Sequence, residues 1–266
     1  MEPIQLRAER LAAETFLGGP IQSFETVGRL QLMTLLRVGL YPDSKVLDIG
    51  CGALRAGYWL INFLEPDCYF GLEPNKDMLD AGVRTFLSEA LLSAKRPRFA
   101  HNTEFDVSSF GLRFDFFLAR SVWTHAPKSQ ILKMLDVFGA SSNESGLFLT
   151  SYLPASERDP DYRGDTWVGK SESSREAGLV GHDPNWIASE CRSRGLTSRT
   201  LPVDGFRRQV WLAIQRQGVE RPSDRWLTSL VELEKPRRPA AQPGKGRVRA
   251  RDAVINGLRQ ARKILR

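Results

Sequence analysis

Asp48-Ile49-Gly50-Cys51-Gly52 directly follows one apolar run, Val46-Leu47, and Glu73 closes the next, Tyr69-Phe70-Gly71-Leu72. Burial in a core accounts for the apolar runs. It does not account for an acid at the end of each. Gly50 and Gly52 let the backbone turn sharply and approach a ligand with no Cβ between. A carboxylate at Glu73, 25 residues beyond Asp48, can accept hydrogen bonds from a ribose 2′,3′-diol. Both features suit a ligand that contains a nucleoside.

The charge of that ligand follows from two further residues. A dinucleotide site needs G-x-G-x-x-G, the third glycine allowing the helix to pack closely while its N-terminus faces a pyrophosphate. Counted from Gly50, the third position holds Arg55, a bulky misfit. Asp48, just ahead of the loop, repels a pyrophosphate and suits a sulfonium or ammonium. The residues therefore point to S-adenosylmethionine (SAM). Arg55 itself reads either as a partner of the SAM carboxylate or as a solvated helix arginine.

These residues need elements to position them. Ser44 to Gly50, Cys68 to Pro74, Arg96 to Asn102, Phe114 to Arg120 and Gly146 to Tyr152 read as short strands. Helical runs separate them: Ala53 to Phe63, Asn75 to about Leu92, and about Ser129 to Phe138. Such alternation implies βαβ units, right-handed crossovers and a parallel sheet covered by helices on both faces. A helix from Asp183 to Arg194 precedes two strand-like runs, Leu196 to Val203 and Gln209 to Arg216, whose short connection predicts antiparallel pairing. Phe24, Val27, Leu32, Leu35 and Leu36 predict an amphipathic helix over Ile21 to Leu40, interrupted in composition by Gly28.

With this order the chain resembles the class I SAM-dependent methyltransferases, whose first motif is an acid followed by G-x-G-x-G after the first strand. Asp48-Ile49-Gly50-Cys51-Gly52 matches it, with Leu54 where a third glycine is common. The resemblance runs by motif from about Lys45 to Ser151, and by strand pattern to Arg216. It implies an open, mostly parallel seven-stranded Rossmann-like α/β sheet with the last strand antiparallel. It further implies that Gly50 and Gly52 line the methionine part of SAM and that Glu73 binds the ribose. An acid after the third strand would reach the adenine amino group, a place that Asp106, nine residues before Asp115, fits. Ala119 to Pro127 (ARSVWTHAP) looks like the family's fourth motif, making Arg120 a candidate cofactor contact.

Acceptor chemistry is less legible. His125 is the candidate catalytic base or substrate-orienting group, the alternative being a histidine that shapes its loop. Trp123, Tyr162 and His182 are candidate substrate contacts. Residues 153–182 break the strand–helix rhythm and read either as a lid or substrate loop or as a disordered insertion. No metal site is expected, since Cys51, Cys68 and Cys191 show no paired spacing.

The domain organisation expected is an N-terminal helical segment (1–40), a SAM-binding domain (41–216) and a basic linker with an amphipathic helix (217–266). The net charge of +7 is concentrated at the C-terminus. From Lys235 onward 11 Lys/Arg face one acid, Asp252, while the preceding residues hold 27 basic and 30 acidic side chains. Val254, Leu258, Ala261 and Leu265 form an apolar stripe on that basic segment. It would contact an anionic membrane surface, recruit RNA or a protein, or remain solvated. The mildly acidic domain without a basic stripe favours a small-molecule, sugar or lipid-linked acceptor over nucleic acid. RNA or protein methylation, and SAM binding without turnover, remain the alternatives. With no apolar run long enough to span a bilayer and no secretory leader pattern, a cytoplasmic protein is expected, peripheral at a membrane if the tail attaches it.

Overall fold

The computed structural model describes residues 2–169, 178–204 and 208–219. The sheet is built from β1 (Val46–Ile49), β2 (Tyr69–Leu72), β3 (Arg98–Ala100), β4 (Phe114–Ala119), β5 (Ser142–Pro154), β6 (Gly181–His182), β7 (Leu196–Asp204) and β8 (Val210–Arg216). Its order is β3-β2-β1-β4-β5-β8-β7, with the two-residue β6 added beside the end of β5. β1 to β5 run parallel, and β8 inserts between β5 and β7 antiparallel to both. The mostly parallel sheet and its antiparallel end agree with the sequence reading. The additional strand, β6, falls inside the segment read as lid or insertion.

Period-two alternation sends successive side chains to opposite faces. Leu47, Ile49, Phe70, Leu72, Phe117 and Phe148 meet Ile131, Met134, Leu135 and Phe138 of α6 (Lys128–Ser141) and Ile187 and Cys191 of α7 (Pro184–Ser193) on one face. Val46, Tyr69, Phe116, Leu118 and Leu149 meet Leu35 of α2 (Phe24–Arg37) and Leu60, Ile61 and Leu64 next to or within α3 (Gly57–Phe63) on the other. Both faces are thus covered, as near-continuous apolar strands require.

Several helix boundaries differ from the periodicity. The run expected from Ala53 becomes helical only at Gly57, because residues 52–56 form turns. The run from Asn75 divides into α4 (Lys76–Phe86) and α5 (Glu89–Lys95), with Ser88 Oγ accepting the Leu91 N–H to start the second. α2 is preceded by a short 3-10 turn, Ile21–Ser23. Gly28 inside α2 has a packing reason: a Cβ there would lie 2.2 Å from the Arg55 carbonyl oxygen and 2.8 Å from Trp59 Nε1. α2 therefore rests directly on the backbone that follows the glycine loop.

The N-terminal α1 (Ile4–Ala12) contributes Ile4, Ala8 and Leu11 to a cluster with Leu17, Phe24, Ala53, Ala81 and Phe86. No helix among the described residues is long and apolar enough to cross a membrane. Of the expected basic linker and amphipathic helix (217–266), residues 220–266 lie outside the described ones.

Candidate active site

The carboxyl ends of β1 and β2 lie side by side, with Ile49 opposite Leu72. Gly50 N still donates to Leu72 O at 2.8 Å, after which the chain turns through Gly50 (φ 68°) and Gly52 (φ 54°). Both values lie in the left-handed region that costs glycine nothing. Glu73 then closes the arrangement: its Oε2 accepts the Gly52 N–H at 3.0 Å and its Oε1 the Asn75 N–H at 3.0 Å. The carboxylate is held rigid by two backbone donors, and Asn75 in turn caps α4 through the Met78 N–H.

Leu54 follows in the same turn with φ 62° and is fully buried. The third-glycine conformation of the motif is thus adopted by a leucine. Burial offsets the roughly 1–2 kcal/mol that a left-handed conformation costs a residue with a Cβ. The loop shape survives the departure from the motif.

Asp48 does not open onto the cleft. It is buried at 3% exposure and accepts the Tyr69 hydroxyl at 2.8 Å. Burial pushes its pKa up to about 7, the Tyr69 hydrogen bond opposing that shift and the charge of Glu73 adding to it. The pleat explains Tyr69, which the sequence reading missed: Asp48 is registered with Gly71, so Tyr69, two residues earlier, shares its face. Asp48 is therefore a titratable group beneath the glycine loop rather than a permanently ionised one facing a ligand.

Arg55 departs from both sequence readings. Its guanidinium donates to the carbonyls of Leu17, Gly18 and Gly19 at 2.9–3.4 Å and stacks over the Phe24 ring at 5.0 Å. It ties the segment after α1 to the glycine loop. Asp106 is exposed at the far side of β3. Its carboxylate accepts the Ser108 N–H, which lowers its pKa, and its own N–H donates to Asn102 Oδ1.

A second polar cluster forms at the carboxyl ends of β4 and β5. Arg120 donates to Ser151 Oγ at 3.0 Å and to Gln209 Oε1, and lies over the Trp211 ring. Ser151 Oγ also donates to Gln209 Oε1 at 2.8 Å, and Gln209 Nε2 donates to Ser121 Oγ at 3.0 Å. Ser151 and Gln209 are buried. Antiparallel β8 delivers Gln209 here, because its starting end lies at the finishing ends of the parallel strands. Ser121, Ser151 and Gln209 carry no local sequence signal.

The two clusters meet at Val122, whose Cγ2 is 2.8 Å from the place a Cβ on Gly50 would occupy. His125 belongs to the same turn, its N–H donating to Val122 O at 3.0 Å. Its side chain and backbone bond to Val168: Nδ1 to Val168 O at 2.8 Å and Val168 N to His125 O at 2.8 Å. Burial lowers the imidazole pKa and the bond to Val168 opposes that.

Trp123 is a correction. It is fully buried, edge-on to Phe148 at 5.9 Å, and belongs to the core instead of a substrate surface. His182 is likewise fully buried, with Nε2 donating to Trp123 O at 2.9 Å; burial lowers its pKa. Tyr162 uses its hydroxyl on Thr166 O at 2.9 Å. The described parts of 153–182 are folded onto residues 121–128. Val180 N donates to Thr124 O at 2.9 Å, Ala155 N to His182 O at 2.9 Å, and Lys128 pairs with Asp161 at 2.6 Å. Residues 170–177 lie outside the described ones. Among the described residues no group of three or more His, Cys, Asp or Glu could hold a metal.

No protein-family model matches the chain. A curated relative, the uncharacterized protein RP028 of Rickettsia prowazekii (strain Madrid E), is 29% identical over 134 residues. That match spans about half of either protein, 48% of this chain and 48% of the relative. Solved structures match more fully. Magnesium protoporphyrin IX methyltransferase (ChlM) from Synechocystis PCC 6803 with bound SAH superposes with TM-score 0.54 at 18% identity, covering 79% of this chain and 93% of that one. An S-adenosylmethionine-dependent methyltransferase from Clostridium acetobutylicum ATCC 824 gives 0.54 at 13% identity, covering 80% and 97%. The DhpI–SAH complex gives 0.52 at 13%, covering 81% and 94%. With its strand order, inserted antiparallel β8 and glycine loop after β1, the chain has the class I Rossmann-like methyltransferase fold.

Proposed function

We propose that this protein is a SAM-dependent methyltransferase acting on a small-molecule acceptor. The observation that carries the reading is the coupling of Gly52 to Glu73: a left-handed glycine loop whose N–H is bonded to the carboxylate at the end of the neighbouring strand. Open parallel sheets bind ligands at this end. A Cβ on Gly52 would approach nothing closer than Met78 Cε at 3.7 Å, so the backbone there is open to a ligand. Gly50 and Gly52 would hold the methionine portion and Glu73 the ribose. Asp106 is the candidate for the adenine amino group, and Arg120 borders the site from β4.

When bound, SAM supplies an electrophilic methyl on a sulfonium. The chain's contribution is alignment and exclusion of water. Asp48 supplies negative charge beneath the loop once ionised, and His125 is the candidate base for an acceptor that carries a proton. One of the similar structures is a methyltransferase of magnesium protoporphyrin IX, a small molecule, which supports a small-molecule acceptor. The basic C-terminal segment supports a lipid-linked acceptor or anchorage to an anionic surface.

Titration calorimetry with SAM tests the site. Wild-type protein should bind, and Glu73→Ala should weaken binding more than 100-fold. Wild-type affinity in both Glu73→Ala and Asp48→Ala would sink the assignment. Label from methyl-labelled SAM appearing in a product tests transfer itself.

A further inference from the structure

We infer that Val168 and Gly169 are positioning residues that hold His125 as its Nδ1–H tautomer, leaving Nε2 as the proton acceptor for a hydroxyl-bearing methyl acceptor. The inference rests on the methyltransferase reading for its chemistry, and on geometry alone for the tautomer. A backbone carbonyl can only accept, so the 2.8 Å contact between Val168 O and His125 Nδ1 requires the proton on Nδ1. The neutral ring then carries its lone pair on Nε2. Among the described residues the ring's hydrogen bond is made through Nδ1, not Nε2.

The clamp has two jaws. Val168 N donates to the His125 carbonyl at 2.8 Å, so backbone and ring are fixed by one residue. Gly169 makes the approach feasible: its φ is 108°, and a Cβ there would lie 2.3 Å from Nδ1 and 2.8 Å from Cε1. Any other residue at 169 would push the ring away. Position places the base at the site, since His125 shares a hydrogen-bonded turn with Val122, the residue against Gly50. The same arrangement explains why a segment 43 residues downstream folds back onto the turn after β4. It sets a proton-transfer group.

The class of acceptor follows. A tertiary amine or thioether needs no base, whereas an alcohol or phenol must lose its proton as it attacks. The acceptor O–H proton passes to His125 Nε2 while its oxygen bonds the methyl carbon. The electron pair of the broken C–S bond remains on sulfur, cancelling the sulfonium charge, and the imidazolium later releases its proton to water. Burial, which lowers the imidazole pKa, keeps the ring neutral and ready to accept at neutral pH.

The test begins with long-range ¹H–¹⁵N correlation spectra of the full chain, without SAM. His125 should show the Nδ1–H pattern, and Gly169→Ala should abolish or mix it. An Nε2–H ring or an even mixture in the wild type overturns the inference, whatever the catalytic result. Turnover is then measured with methyl-labelled SAM and a mixture of simple phenols and polyols as probe acceptors. His125→Asn retains a donor for the Val168 carbonyl but lacks the Nε2 lone pair, so it should fold normally, bind SAM within about twofold of wild type, and lose more than 100-fold in kcat. Unchanged kcat in that variant, or no labelled phenol or polyol from a wild type that binds SAM, overturns the base assignment. Failure of the wild type to bind SAM by calorimetry identifies the broader reading, and not the tautomer, as the error.

Discussion

At the carboxyl ends of β1 and β2 the polar groups that meet come from residues 48 to 75, whereas at the ends of β4 and β5 they come from residues 120, 121, 151 and 209. The first cluster is assembled by one βαβ unit. Its geometry follows from two short strands, one turn and a parallel register. The second needs a long excursion of the chain and an inserted antiparallel strand before Gln209 can reach Arg120. The first presents backbone N–H groups and a fixed carboxylate; the second presents interlocked side chains. A local unit suits a ligand of fixed shape such as a nucleoside, while the part built from distant segments can vary with the acceptor.

The comparison breaks if the two clusters are not separable. Glu73→Ala carries the largest expected effect, a more than 100-fold loss of SAM affinity, about 2.7 kcal/mol or more. It should leave His125's tautomer unchanged. A change in the His125 spectrum would show that the cofactor end organises the other.

Asp48→Asn sharpens the contrast through pH. Because the folded pKa is raised to about 7 from 3.8, the native state retains a proton that the unfolded chain has lost. Wild-type stability should therefore fall as pH rises from about 4 to about 7 and level off above it. The variant removes that loss, so its stability relative to wild type should be greater at pH 8 than at pH 5, read from denaturant melts at the two pH values. SAM affinity of the wild type should instead rise around pH 7, where the carboxyl of the folded protein ionises, since a sulfonium favours the charged form, and the variant should flatten that rise. A pH-independent difference between the proteins would overturn the buried-acid account.

Gln209→Ala addresses the second cluster. Its removal leaves Arg120, Ser121 and Ser151 with lost partners in a buried setting, costing about 2 kcal/mol of stability. SAM affinity should change less than about threefold; a larger loss would mean that Arg120's geometry matters to the cofactor end.

Leu54→Gly gives the smallest effect. Relief of a left-handed leucine is worth about 1 kcal/mol, and loss of a fully buried side chain costs about 2–3 kcal/mol. A net destabilisation of about 1–2 kcal/mol is expected in thermal melts. A stabilised variant would show that strain outweighs packing at this turn.

The alternation of strands and helices, the helix-covered faces and the glycine loop were legible because each depends on short-range pattern: apolar runs in buried strands, glycine where φ is positive, Asp183 accepting the Asn185 N–H at the start of α7. The helix boundaries were less so. Turn residues 52–56 and the Ser88 cap interrupt runs whose apolar spacing continues across them. Trp123 shows the limit for single residues. An aromatic beside a candidate base reads as a substrate contact, yet the turn after β4 points it into the core, where its area is worth more buried. Arg55 shows another, since its partners are backbone carbonyls 36–38 residues away and carbonyls leave no mark in a sequence.

By itself the amino-acid sequence determined the alternating architecture and the glycine loop after β1, and it singled out Gly50, Gly52 and Glu73 as the candidate site at the ends of β1 and β2. These are consequences of local backbone freedom and of burial, which act within a few residues. Only the tertiary structure decided that Asp48 is buried against Tyr69, that Arg55 fastens the N-terminal segment, that Gln209 joins Arg120, and that Val168 and Gly169 set the proton on His125. Those outcomes depend on which distant groups share a desolvated volume, and in such a volume hydrogen-bond partners, not residue type, assign each side chain its role.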